Sequence, residues 1–69
     1  MKFEEILPQI RKGSSFYREQ WVWRTRPIET IELDKDGDIA ITYTSIGEED
    51  KWTPTSQDLL AEDWVLWRK

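Results

Sequence analysis

Five tryptophans, Trp21, Trp23, Trp52, Trp64 and Trp67, are more indole than a chain of 69 residues can hide. Each indole buries a large flat surface, and a small core is filled by one or two of them. A domain of this length buries only about 60% of the surface its unfolded chain exposes. Some of the five therefore belong to a surface that something else covers: a partner subunit, another protein, or a flat ligand such as a nucleobase.

The remaining composition limits what chemistry can be built around them. The chain has no cysteine, which excludes disulfides and thiolate metal sites. It has no histidine, which removes the commonest general base and metal ligand. Ser-His-Asp and Cys-His triads cannot be assembled, and no metal or cofactor is expected. Met1-Lys2-Phe3-Glu4-Glu5 is too acidic for a signal peptide, and no apolar run is long enough to cross a bilayer. The expectation is a soluble intracellular protein: one small domain over residues 1–69, which gains stability by oligomerising.

Charge is unevenly placed. Residues 1–27 carry six basic against three acidic side chains, and residues 28–69 carry four against eleven, for a net charge of −4. Such a chain can pair head to tail with itself, or offer a cationic site within an acidic body; a mixed, solvated surface is the simpler account.

Phe3, Ile6, Leu7 and Ile10 share one face of a helix. Pro8 fits it if it falls in the first turn, or if the helix is short and kinked. Arg11-Lys12-Gly13 is a C-terminal signal. Ser14 to Arg24, with Phe16, Tyr17, Trp21, Val22 and Trp23, reads as one or two short strands broken near Glu19-Gln20, and Arg26-Pro27 ends them. Thr30–Leu33 and Ile39–Tyr43 alternate around Asp36-Gly37, predicting a hairpin whose buried face carries Ile31, Leu33, Ile39, Ile41 and Tyr43. Ile46 to Lys51 reads as a solvated loop. Thr55 caps a short helix, Asp58 completes a capping-box pattern, and Leu59, Leu60 and Ala61 give its apolar side. Asp63 to Trp67 is the last strand, with Trp64 the best candidate for the core.

Asp34, Asp36 and Asp38 do not make a calcium loop: Gly37 stands at the fourth loop position instead of the sixth, and Ser45 at the twelfth. Nothing places Asp58 and Asp63 around a cleft as an acid/base pair. Arg18, Trp21, Trp23, Arg24 and Arg26 interleave cations with indoles, a pattern that can stack on bases and hold phosphates. It can equally be an exposed strand whose arginines lie over its own aromatics. The overall acidity disfavours a nucleic-acid polymer and leaves a small anionic ligand.

Trp52-Thr53-Pro54-Thr55-Ser56-Gln57-Asp58-Leu59-Leu60-Ala61-Glu62-Asp63-Trp64 resembles the signature of a phage family, Trp, a few residues, then Ser-Gln-x-Asp-Leu-Leu-Ala-x-Asp-Trp. The family is that of the second Thoeris anti-defence protein, a cyclic-nucleotide sponge, and it includes an anti-CRISPR protein. Phe3-Glu4-Glu5-Ile6-Leu7, Lys12-Gly13, Arg18 and Trp21 resemble its opening helix, glycine turn and Arg-x-Gly-Trp segment. The resemblance implies a small α+β unit in a homotetramer, with ligand pockets between subunits. It implies that Trp21 and Trp52 sandwich a base, with arginines nearby on phosphates. The chain departs from the pattern at Gln20 (glycine in the family), at Val22-Trp23 (Asn-Gly in the family), and in a shortened centre.

The combined expectation is an α+β domain: an N-terminal helix, a short antiparallel β-sheet with a central hairpin, and a helical turn before the last strand. By resemblance it is a phage counter-defence protein of the host cytoplasm that sequesters a cyclic or ADP-ribose-type nucleotide messenger without cleaving it. Trp21 and Trp52 would stack, and Arg18, Arg24 and Arg26 would supply charge. The alternative is a protein-binding inhibitor of a bacterial defence protein, such as a CRISPR effector, that uses exposed Trp23 or Trp67 and the acidic C-terminal half.

Overall fold

The computed structural model describes residues 1–68, without the side chain of Arg26. Helix α1 (Phe3–Arg11) forms on the stripe predicted for it, and Ile6 and Ile10 are wholly buried. The Glu5 carboxylate accepts from the Lys2 backbone N–H at 2.8 Å and secures the start. Pro8 lies past the first turn but is exposed, so solvent can serve the carbonyl that its missing N–H leaves. The helix stops at Gly13, whose φ of +100° suits glycine. Its N–H donates to the Ile10 carbonyl, and the Ser14 N–H to that of Gln9, which is a Schellman ending.

The other strands are β1 (Ser15–Arg18), β2 (Val22–Trp23), β3 (Arg26–Pro27), β4 (Glu29–Leu33), β5 (Ile39–Tyr43), β6 (Glu48–Lys51) and β7 (Trp64–Trp67). Five of them form an antiparallel sheet in the order β6-β5-β4-β1-β7. A 3-10 turn at Glu19–Trp21 breaks the aromatic run where expected, and β2 and β3 form a separate ribbon. The central hairpin pairs Ile31 with Ile41 and Leu33 with Ile39. Its turn is closed by the Asp34 carboxylate, which accepts from the backbone N–H groups of Asp36 and Asp38, both at 2.9 Å.

One face of the sheet receives α1, and there Ile6, Ile10, Phe16, Ile31 and Trp64 make the core. Burying each such side chain stabilises the fold by roughly 1.5–3 kcal/mol. The face away from α1 carries Tyr17 and Trp67, edge to face at 6.2 Å. Trp67 is thus half-buried rather than exposed.

Two readings are corrected. Glu48–Lys51 is an edge strand, β6, instead of a loop; all four side chains are exposed, so no alternation marks it, and its charges guard the open edge. Helix α2 (Ser56–Leu60) does not bury its leucines: Leu59 is 47% and Leu60 80% exposed. Polar anchors hold α2 instead. Thr55 and Asp58 cap each other, and the Trp64 Nε1–H donates to the Asp58 carbonyl at 3.1 Å.

Candidate nucleotide-binding cleft

Trp21 ends the 3-10 turn, and its backbone is fixed on both sides. The Glu19 N–H donates to the Asp63 carbonyl, and the Ile28 N–H to that of Trp21. Trp52 follows the edge strand and donates its backbone N–H to Ile39 at 3.0 Å. Both indoles meet the buried Trp64 ring edge to face, Trp21 at 5.3 Å and Trp52 at 5.9 Å between centroids. Phe3 closes the cluster against Trp52 and Trp64. Trp64 is therefore a shared wall on which two half-buried indoles are pre-positioned.

Trp21 and Trp52 line one open cleft of about 730 Å³. Arg18 and Gln20 join Trp21; Glu29, Ile41 and Tyr43 come from the central hairpin; Asp50 and Lys51 come from β6; Thr53, Thr55, Gln57 and Asp58 complete the rim. The volume lies within the range of roughly 300–1,000 Å³ typical of small-molecule sites.

Arg18 reaches this cleft as part of a clamp. Its Nη1 donates to Asp58 Oδ1 at 3.0 Å and its Nε to Asp63 Oδ1 at 2.9 Å. Burial opposes the charge, but the hydrogen bonds to Asp63 and Asp58 outweigh it and raise the Arg18 pKa. Burial likewise pushes the Asp58 carboxyl up, and the Thr55 N–H and Arg18 reverse this, holding it below the ordinary carboxylate range. Lys51 is held in the same manner by the hairpin turn: Nζ contacts Asp38 Oδ2 at 2.5 Å, Asp34 Oδ2 at 3.4 Å and Asp36 Oδ2 at 3.9 Å. The bond to Asp38 is foremost in raising its pKa.

The structure thus brings Trp21, Trp52 and Arg18 to one cleft. Arg24 does not line it. Arg24 caps the β2–β3 ribbon at a φ of 63°, and its guanidinium lies 4.5 Å over the ring of Trp23. The Arg26 side chain lies outside the described residues. Sequence reasoning passed over Glu29, Tyr43, Asp50, Lys51 and Gln57. Glu29 carried a readable signal, since it precedes Ile31 and Leu33 at the strand period and so shares their face.

The sequence model of the Thoeris anti-defense 2-like domain, Tad2-like, matches residues 1–67. The chain belongs to this family. Membership supports a phage anti-Thoeris role. No curated protein matches the chain significantly. Among the described residues, no helix is long and apolar enough to cross a membrane, and no cluster of carboxylates is arranged to hold a metal ion.

Proposed function

We propose that this family member sequesters a cyclic or ADP-ribose-type nucleotide messenger of bacterial immunity in the cleft between Trp21 and Trp52, without cleaving it. The observation that carries this reading is that both indoles, 31 positions apart in the chain, line one cleft and are braced by the same buried tryptophan. Stacking contributes about 1–3 kcal/mol per base, so two indoles supply a useful share of the roughly 8 kcal/mol that micromolar affinity requires. Two of the carboxylates near the indoles, Asp58 and Asp63, are engaged in holding Arg18. With no histidine or cysteine in the chain, binding without turnover is the reading we favour. The protein would act in the host cytoplasm as a homo-oligomer. Incubation with cyclic ADP-ribose isomers, removal of free nucleotide, heating and chromatography tests it. Recovery of intact nucleotide is expected; no bound nucleotide, or a hydrolysed one, refutes it.

A second reading rests on a different surface. Trp23, Ile28 and Ile46 are 61%, 47% and 65% exposed, and Trp23, Pro27 and Ile28 border a shallow groove with Thr44 and Ser45. This apolar end suits direct binding of a defence protein. Co-purification of a host protein that survives Trp21→Ala with Trp52→Ala would favour it.

A further inference from the structure

The charges in the cleft wall are not those of a phosphate site. Each cation is outnumbered by the carboxylates that hold it: Arg18 by Asp58 and Asp63, Lys51 by Asp34, Asp36 and Asp38. A phosphate seated there would have to displace carboxylates already in contact. Glu29 is in the opposite situation. It is half-buried at the first position of β4, paired in register with Tyr43, and lines the same cleft. Among the described residues its side-chain carboxylate makes no hydrogen bond or ion pair, its backbone alone being paired in the ladder.

We infer that Glu29 is a specificity-determining residue of the cleft, accepting hydrogen bonds from the vicinal hydroxyls of a ribose while the ligand's phosphates remain outside. This rests on the nucleotide-binding reading above. An ionised carboxylate only accepts hydrogen bonds, through two oxygens. A ribose diol offers two donors side by side and matches it. The Watson–Crick edge of adenine sets a donor beside an acceptor, so it would turn one repulsive contact toward Glu29. Carboxylates serve ribose hydroxyls in the same way in dinucleotide-binding folds.

The test is calorimetric titration of the intact protein with adenosine, inosine, 2′,3′-dideoxyadenosine and adenosine 5′-monophosphate, for the unmodified chain and Glu29→Gln. Adenosine, inosine and the monophosphate are expected to bind alike. The dideoxy probe should be weaker by about tenfold, the factor supplied by a charge-assisted hydrogen bond at the lower end of its range. Glu29→Gln should lower adenosine affinity to that of the dideoxy probe without changing Tm. A monophosphate that binds much more tightly than adenosine, with the gain lost in salt, overturns the inference, as does discrimination that survives Glu29→Gln. If Trp21→Ala and Trp52→Ala abolish binding while Glu29→Gln leaves it intact, the ribose assignment fails and stacking stands. If no probe binds at millimolar concentration, both fail.

Discussion

Replacing Arg18 by methionine tests whether the clamp beneath the cleft holds the fold together. Methionine keeps the unbranched apolar stem and removes only the guanidinium. The change deletes hydrogen bonds of 2.9 and 3.0 Å and leaves Asp63 and Asp58 without their cation. Breaking a fully buried pair costs about 3–5 kcal/mol. The Asp58 and Asp63 side chains are 13% and 29% exposed, so water recovers part of that. The loss should be about 2–3 kcal/mol, most of it the penalty of stranded carboxylates. A domain this small has a total stability of about 3–10 kcal/mol, and at about 4–8 °C per kcal/mol its Tm should fall by about 8–24 °C. Circular dichroism melts at pH 7 measure it. Adding Asp58→Asn and Asp63→Asn to Arg18→Met should restore at least half the loss, because the stranded charges are then gone. A single variant within about 2 °C of the unmodified protein, or a triple variant no better than the single, would mean that the clamp does not hold the fold together.

Trp64→Leu removes the wall shared by Trp21 and Trp52 together with the bond from its Nε1–H to Asp58; a loss of about 3–5 kcal/mol and of the near-ultraviolet circular dichroism is expected, whereas a native spectrum would contradict the central place given to Trp64. Because the folded-state pKa of Asp58 is depressed, its contribution is present above the unfolded pKa and is lost as pH falls through the folded one. Stability should be level down to about pH 5 and decline through pH 4 and below, and Asp58→Asn should flatten that decline in melts recorded across the range. An acid slope unchanged in Asp58→Asn would assign it elsewhere.

Elements set by neighbouring residues were legible in the sequence. The α1 stripe, the glycine ending at Gly13, the Asp34–Asp38 turn and the Thr55 cap each depend on contacts within a few positions. Trp64, singled out by its place after Ala61-Glu62-Asp63 at the head of the last strand, is in the core as expected. What escaped depends on distant pairing. Arg18 meets Asp58 and Asp63 across 40 and 45 positions, and nothing local distinguishes it from a free surface cation. Lys51 is bound by a turn that precedes it by 13 to 17 residues. β6 was invisible because an edge strand that buries no side chain shows no alternation. Leu59 and Leu60 misled because a helix of one turn can be anchored by polar contacts at its caps and leave its leucines outside.

Whether the cleft between Trp21 and Trp52 receives a base can be read from the five indole N–H resonances in a two-dimensional NMR spectrum recorded while cyclic ADP-ribose isomers are added. Stacking moves an indole signal through the ring current of the base. The signals of Trp21 and Trp52 should shift together and saturate with one affinity, while those of Trp23 and Trp67 stay in place. Shifts confined to Trp23, or no shift at Trp21 and Trp52 with any of the nucleotides, would contradict it.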